Sequence, residues 1–430
     1  MKISNLRKEN RSEEVALVAD VESAQLAQRV AIAEKNTIWI SVPKEYEKGL
    51  TTDRYDGFLV ILLFCAMKYK EDIFIDGAIS KRLMKNLDYL QAVLKSFTFY
   101  LHKINISVKE TTDKKNEQAI HIGTGFGGGI DSFCTIYDKF ECEKDPQYKI
   151  DTLVTFNTGL YGQANGQNKK QEKGWKDNFE FLRQFPNDIG LPFFPVNANL
   201  GIYIETETFW QELRQFGLCF RAGVALSLQN YFSKYYMASN FSYSDLLLYP
   251  LKDRLSEDTI KGTFMENIFF HLVSTDNLEL IVDGSQYSRT EKTERVSRYV
   301  PTYKYLDVNI RKIGEKNKAG LGKVNRTLWA LESLDKLDLY SDAFDIAQWK
   351  KDAFRYKCEE VIFNKYVSAM TDDNIELAKK RGKKVPPYFI AFVYGLIFIF
   401  PKKIVKAIIK AIDRRLFRKK LIPKIKNILK

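Results

Sequence analysis

The chain has 430 residues, 45% of them hydrophobic, and a formal net charge of +13. This length and composition predict two or three folded domains with real hydrophobic cores. Its five cysteines are scattered without a CxxC pair, which indicates free thiols in a reducing, cytoplasmic compartment and not a disulfide framework.

The first 112 residues read as an N-terminal α/β domain, because strand-like and helix-like segments alternate in them. The strand-like segments are Thr37–Val42 and Asp72–Ile75, and the helix-like segments are Phe58–Met67 and Ser80–Phe97. The charged stretch Lys109–Gln118 follows and is interpreted as a linker into the next domain, which we place at residues 113–345.

A glycine run opens this second domain and predicts a phosphate-binding loop. Residues Gly123–Ser132 read G-T-G-F-G-G-G-I-D-S and lie between a strand-like segment, Ala119–Ile122, and a helix-like segment that begins near Asp131. Consecutive glycines let backbone N–H groups point into one concavity, and the following helix adds positive potential. An ordinary glycine-rich turn is the alternative interpretation.

Two common phosphate loops are disfavoured by spacing. In the Walker pattern, Gly129 stands where the phosphate-binding lysine must be. The dinucleotide pattern G-x-G-x-x-G matches at Gly123, Gly125 and Gly128, but it also requires an acidic residue at the end of the next strand. That strand ends in Asn157.

The segment Gly127–Ser132 resembles the S-G-G-x-D-S loop of the ATP-pyrophosphatase (PP-loop) superfamily of adenylating enzymes, with glycine in place of the first serine. The resemblance implies a doubly wound parallel sheet of the HUP type and binding of ATP with Mg²⁺. It assigns phosphate binding to Gly127, Gly128, Gly129 and Ser132. Asp131 would orient Mg²⁺ or the loop, and Asn157 would border adenosine.

Later segments follow the order that such a fold requires. Strand-like and helix-like stretches alternate as Leu153–Phe156, Lys169–Phe185, Phe193–Asn197, Phe220–Phe232 and Tyr235–Ala238. This alternation predicts a parallel sheet with helices on both faces and a ligand site beyond the carboxyl ends of its strands.

A second constellation follows the strand-like segment Leu278–Val282. Arg289 and Lys292 are three positions apart at the start of a predicted helix, so both can face one ligand. This segment is similar to the Ser-Arg-x-Glu-Lys stretch of some PP-loop relatives, which implies that both cations stabilise charge as pyrophosphate leaves ATP. A solvated charged helix face is the alternative.

A third segment, Asn317–Thr327, looks like the zinc stretch N-C-G-K-C-x-K-C-x-R-T in relatives of 7-cyano-7-deazaguanine synthase. The three cysteine positions hold Lys318, Leu321 and Val324. Zinc requires about four thiolate, imidazole or carboxylate ligands. We therefore expect no zinc here, and we interpret Arg326 as structural.

The net positive charge belongs to the C-terminal region, residues 346–430. Between Lys379 and Lys430 there are 17 lysines and arginines and a single acidic residue, Asp413, so the preceding chain is mildly acidic. Tyr388–Phe400 carries no charge, and Ile404–Leu416 has an apolar helical face opposite lysines and arginines. This pattern predicts that residues 388–430 form a peripheral anchor on the anionic surface of the inner face of the membrane.

Two other interpretations of this tail remain. Its apolar face could pack on the protein or on another subunit, or its charges could bind nucleic acid. Nucleic-acid binding is disfavoured by the lack of interleaved aromatic residues.

The function implied by these resemblances is adenylation of a small-molecule substrate. A substrate oxygen would attack the α-phosphate of ATP, pyrophosphate would leave, and a nitrogen or sulfur nucleophile would displace AMP. If ammonia is used, we expect it from solution or from a partner. A membrane-directed tail favours amidation or ligation of a cell-envelope sugar or lipid-linked intermediate. A non-catalytic nucleotide-binding module and a tRNA- or nucleobase-modifying enzyme remain alternatives.

Overall fold

A computed structural model of the chain describes residues 1–27, 36–97, 100–157, 169–203, 209–246, 265–320, 322–365 and 368–399. The chain divides into two compact units. The first contains residues 1–317 and 339–343, and the second contains residues 318–338 and the chain from Phe344 onward. The division into independently folding domains at 1–112, 113–345 and 346–430 stays a prediction.

The first unit is built on one sheet, which has ten strands among the described residues. In chain order they are β1 Lys2–Asn10, β2 Glu14–Glu22, β3 Thr37–Pro43, β4 Ile73–Ser80, β5 Ile106–Thr112, β6 His121–Gly125, β7 Thr152–Asn157, β8 Phe193–Ala198, β9 Phe232–Ala238 and β10 Glu279–Asp283. Their order across the sheet is β10-β9-β6-β7-β8-β3-β2-β1-β4-β5. The N-terminal strands therefore continue the sheet that carries the glycine run.

Strands β6 to β10 form a parallel half-sheet with β6 at its centre. The strands β7 and β8 follow on one side and β9 and β10 on the other, and every neighbouring pair is parallel. Numbered from β6, the order is 3-2-1-4-5, as in doubly wound, Rossmann-like sheets. The α/β fold class is confirmed, and the carboxyl end of β6 lies at the point where the strand order reverses.

The other half of the sheet is mixed. The pairs β1–β2, β2–β3 and β3–β8 are antiparallel, whereas β1–β4 and β4–β5 are parallel. Strands β1 and β2 were not predicted; in β1 the reason is its many charged residues, since strand patterns are recognised by β-branched and aromatic runs. The interpretation of Lys109–Gln118 as a linker is wrong at its start, because Lys109–Thr112 pairs with β4 as the end of β5.

The first unit has nine α-helices among its described residues. They are α1 Asp56–Tyr69, α2 Lys81–Phe97, α3 Ile130–Ile136, α4 Lys169–Leu182, α5 Gln184–Ile189, α6 Phe209–Leu226, α7 Glu266–Val273, α8 Arg289–Val296 and α9 Thr302–Tyr305. The predicted helix Phe220–Phe232 ends early, because a turn follows Leu226 and Phe232 begins β9. Leu153 and Val154 are consecutive in β7 and both fully buried. Since consecutive strand residues point to opposite faces, both faces of the sheet are covered there.

The second unit is helical where it is described. Its helices are α10 Gly322–Ser333, α11 Ile346–Phe363, α12 Ala369–Lys380 and α13 Tyr388–Tyr394, and a π-helical turn, Gly395–Ile399, follows directly. Helix α13 packs against α11, where the rings of Tyr394 and Phe354 lie 5.3 Å apart. No helix in the described ranges is long and apolar enough to cross a bilayer. The amphipathic pattern predicted over Ile404–Leu416 lies outside the described residues.

Candidate functional site

The glycine run is partly strand and partly loop. Gly123 and Gly125 belong to β6, so the predicted loop is shorter than expected and begins at Phe126. A Cβ on Gly123 would lie 2.3 Å from the ring of Phe232 on the neighbouring strand. This glycine therefore serves close packing within the sheet, and the loop that can hold a ligand is Phe126–Gly129.

Gly128 gives this loop its shape. Its φ angle is +72°, and a Cβ there would lie 3.1 Å from Leu182 and 3.2 Å from the Cβ of Asp307. Its carbonyl accepts a 2.7 Å hydrogen bond from the backbone N–H of Asp307. In contrast, a Cβ on Gly127 would meet no atom within 4 Å. The loop is thus fixed at Gly128 and open at Gly127.

Asp131, Arg289 and Lys292 come together in one charged cluster. Asp131 lies in the first turn of α3, and Arg289 donates to its Oδ2 at 2.6 Å. Lys292 Nζ lies 3.5 Å from its Oδ1 and donates to the carbonyl of Ser239 at 2.6 Å. The Asp131 side chain is 22% exposed and that of Lys292 only 1%. Both cations thus meet at the carboxylate of Asp131, and that they face one ligand stays a prediction.

The charges of this cluster set the ionisation of Asp131. Burial raises its pKa, but the positive charges of Arg289 and Lys292 outweigh burial and hold the pKa below its usual value. Asp131 is therefore ionised at neutral pH. The cluster then has one more positive charge than negative charges, which suits a ligand that brings additional negative charge.

Helix α8 is held in place at its start, which positions both cations. Ser288 accepts from the backbone N–H of Glu291, and the Glu291 side chain accepts from the Ser288 N–H, forming a capping box. Gly284, with φ +90°, precedes this helix, and a Cβ there would lie 3.3 Å from Cε of Lys292. A side chain at position 284 would therefore crowd the buried lysine.

Ser132 and Asp283 have partners within the protein. The Ser132 hydroxyl donates to the carbonyl of Gly129 at 3.0 Å. Asp283 at the end of β10 accepts from Thr135 at 2.8 Å, and burial raises its pKa. No role was predicted for Asp283, and its position at the carboxyl end of a core strand was the available signal. Ser239, which directly follows the neighbouring strand β9 and accepts a hydrogen bond from Lys292, was missed.

A cavity of about 250 Å³ opens beside Gly127 at the carboxyl ends of β6, β7 and β9. Residues of these three strands form most of its wall, and the side chain of Arg221 from α6 adds a cation. It is lined by Gly125, Phe126, Gly127, Val154, Thr155, Phe156, Arg221, Tyr235, Tyr236, Met237 and Ala238. This is the location at which doubly wound sheets bind their ligands.

Asn157 lines a different and larger cavity, of about 470 Å³. Its Nδ2 donates to Oδ1 of Asn197 at 3.2 Å, and Nδ2 of Asn197 donates to Glu14 at 2.6 Å. Asn157 is 4% exposed, and its Oδ1 is buried without a hydrogen-bond partner in the part of the chain that the structure describes. Trp39 and Trp175 supply aromatic wall to the same cavity.

Most of this second cavity was missed from the sequence. Glu14 and Trp39 come from β2 and β3, which lie next to the parallel half-sheet only because β3 pairs with β8. The signal for Asn197 was the short polar end of its strand. Asn157 therefore lies with polar residues of β2 and β8. The cavity beside Gly127 is lined instead by the residues that precede Asn157 in β7.

The segment that resembles a zinc stretch has a structural role at its start. Asn317 donates to the carbonyls of Leu306 and Ala343, both at 3.0 Å, and accepts from the N–H of Val308. Within the described ranges, no group of three His, Cys, Asp or Glu side chains is arranged to hold a metal ion. The absence of zinc and the structural role of Arg326 stay predictions.

No protein-family model, curated protein or solved structure matches this chain.

Proposed function

We propose that this protein is a PP-loop enzyme of the HUP fold type that cleaves ATP to AMP and pyrophosphate while it adenylates a substrate oxygen. The main support is one arrangement: the loop Phe126–Gly129 leaves the central strand of a 3-2-1-4-5 sheet, and Asp131, Arg289 and Lys292 meet directly after it. Phosphate binding at this point of a doubly wound sheet follows from the free N–H groups of such a loop.

The charged cluster supplies positive charge that can stabilise the departing pyrophosphate. As the bond between the α-phosphorus and the bridging oxygen breaks, negative charge develops on the β-phosphate. Arg289 and Lys292 are fixed before the reaction by Asp131, Ser239 and the cap of α8. Such preorganised cations stabilise developing charge without reorganisation. Mg²⁺ bound through the phosphates would neutralise further charge, and Asp131 is the carboxylate placed to orient it.

The two cavities suit the two reactants. The cavity beside Gly127 has a largely apolar and aromatic wall, including Phe156, Tyr235 and Met237, and suits the adenosine part of ATP. The wall of the larger cavity has amides, carboxylates and indole rings. We assign the larger cavity to the acceptor, which would then be a small polar molecule with hydrogen-bond donors. A sugar of the cell envelope meets that description.

A non-catalytic nucleotide-binding module is the second candidate. Two observations favour it: Gly127 offers no hydroxyl to a phosphate, and the Ser132 hydroxyl donates to Gly129 instead of pointing to solvent. Backbone N–H groups alone could then bind the triphosphate without accelerating its cleavage.

The experiment is to incubate the full chain with ATP and Mg²⁺, separate the nucleotide products, and measure ATP binding in parallel by calorimetry. AMP with pyrophosphate, lost in Asp131→Ala, is the expected result. Formation of ADP would exclude the PP-loop reaction. Binding of ATP without any product, also in the presence of a panel of hydroxylated and carboxylated acceptors, would favour the binding module.

A further inference from the structure

Helix α13 and the turn after it form an exposed apolar surface in the second unit. From Tyr388 to Ile399 the chain carries no charged residue. Phe389 is 75% exposed and Ile397 is 58% exposed, and further large side chains, among them Ile390, Leu396 and Phe398, are about half exposed. Folded proteins rarely leave such a contiguous apolar patch in water unless it binds something.

The opposite side of this segment is packed against the second unit. Ala391, Gly395 and Ile399 are buried and are spaced four residues apart, so they lie on one side of the helical segment. The segment packs against α11. The large apolar side chains on the other sides of this segment are exposed in the described part of the chain.

We propose that residues 388–398 dock this protein onto the surface of an anionic lipid bilayer. The segment from Tyr388 to Ile399 is about 18 Å long at 1.5 Å per residue, which is too short for a hydrocarbon core of about 30 Å. Its apolar side chains can enter the boundary between headgroups and acyl chains while the rest of the unit stays in water. The proposal concerns the second unit alone and does not depend on the reaction proposed above.

The charge on both sides of this surface selects the occupant. Lys379, Lys380 and Lys384 lie just before it and are exposed. The sequence after it, residues 401–430, contains twelve lysines and arginines and one acidic residue, Asp413. Cations close to a membrane are attracted to anionic headgroups. The same charges would repel a second copy of this chain brought face to face, so an anionic bilayer is favoured over self-association.

Vesicle flotation of the full chain tests the proposal. The vesicles are phosphatidylcholine alone or an equal mixture of phosphatidylcholine and phosphatidylglycerol, at low salt. We expect flotation with the anionic mixture and at least roughly tenfold weaker binding to phosphatidylcholine alone. The double variant Phe389→Ser with Ile397→Ser should bind the anionic vesicles with about one tenth of the wild-type affinity or with still lower affinity, because two large apolar contacts are lost.

The matched control is Tyr89→Ser with Ile120→Ser, which removes two large side chains of similar exposure from the first unit and should float like wild type. Lys379→Glu with Lys380→Glu should weaken binding to the anionic vesicles only. The proposal is overturned if the wild-type protein stays in the bottom fraction with the anionic vesicles, or if the Phe389/Ile397 variant floats as well as wild type. Light scattering measures the oligomeric state of both proteins. If wild type is a dimer and the Phe389/Ile397 variant is a monomer, the surface is a contact between two copies of the chain and the proposal is wrong.

Discussion

The guanidinium of Arg289 donates to the carboxylate of Asp131 at 2.6 Å, although 158 positions separate the two residues in the chain. Asp131 follows the central strand β6, and Arg289 follows the edge strand β10, with β9 between them. The contact therefore requires the complete order β10-β9-β6. It joins the two helices α3 and α8 at the edge of the sheet where the ligand is expected.

Asp131→Asn should destabilise the fold. The substitution leaves Lys292 buried, with its charge no longer balanced by a carboxylate. Removing one partner of a buried ion pair costs about 3–5 kcal/mol, and partial exposure reduces this, so we expect about 2 kcal/mol. Urea unfolding measures the loss, with Asp145→Asn on an exposed loop as the control. A variant as stable as wild type would show that the cluster contributes nothing to folding.

The stabilisation from Asp131 should also disappear in acid. Its folded pKa is lowered, since the charges of Arg289 and Lys292 outweigh the effect of burial. A carboxyl with a lowered folded pKa contributes stability that is fully present above the unfolded value of about 3.9 and is lost as pH falls through the folded value. The stability difference between wild type and Asp131→Asn should therefore be constant near neutrality and shrink below about pH 4. Unfolding curves across that range would contradict this if the difference grew on acidification.

Arg289→Met and Lys292→Met should each slow AMP formation by roughly 100-fold if the proposed reaction is correct, because each removes a preorganised cation. Arg298→Met is the matched control, since Arg298 pairs with Glu294 and is well exposed. Product formation and ATP affinity are to be measured together with the melting temperature. Equal losses in Arg298→Met and in the two site variants would point to a general effect on folding.

Local patterns were sufficient to predict the parallel half of the fold. The glycine run, Asp131 and the pair Arg289 and Lys292 each follow a strand, and the carboxyl ends of parallel strands meet at one edge of a sheet. The bounds were less well predicted, since Gly123 and Gly125 belong to the strand itself. Whether a glycine lies in a strand depends on the neighbouring strands, here on the close approach of the Phe232 ring to Gly123, and local sequence does not contain those neighbours.

The second cavity could not be predicted in the same way. Glu14 reaches Asn197 across 183 positions, through the antiparallel pairing of β3 with β8. Packing over the whole sheet decides which strands pair in this way. Strand β2, which pairs with β3, carries no turn or motif from which its place in the sheet could be predicted. The contact between Asn157 and Asn197 follows from the parallel pairing of β7 with β8. That these amides belong to the wall of a cavity depends also on β2, which was not predicted.

Asn157→Ala should leave the affinity for ATP within about twofold of wild type, because Asn157 lines the larger cavity and not the cavity beside Gly127. It should cost less than about 1 kcal/mol of stability, since one hydrogen bond to Asn197 is lost while an unsatisfied buried oxygen is also removed. Calorimetry with ATP and urea unfolding are the measurements. A tenfold loss of ATP affinity would instead support the position beside adenosine that the sequence resemblance implies.

Gly128→Ala should distort the loop and destabilise the protein by about 1–3 kcal/mol, because a side chain is strained at positive φ and would press on Leu182 and Asp307. Gly190→Ala is the matched control: it has a similar φ of +70°, but its Cβ would meet no atom within 4 Å. The difference between the two variants isolates the contribution of packing at Gly128. A smaller loss at position 128 than at position 190 would contradict the close approach of these residues.

Gly127→Ser tests the departure from the PP-loop pattern directly. A Cβ at this position meets no atom within 4 Å, and its φ is not positive, so stability should change by less than about 0.5 kcal/mol. The new hydroxyl would stand beside the cavity at the carboxyl end of β6 and could donate to a phosphate, so we expect tighter ATP binding and faster AMP formation. Gly127→Ala, which adds the carbon without the hydroxyl, separates hydrogen bonding from bulk. If serine and alanine reduce ATP affinity equally, the open space at Gly127 is needed by the ligand itself, and the bare backbone is the functional form of this loop.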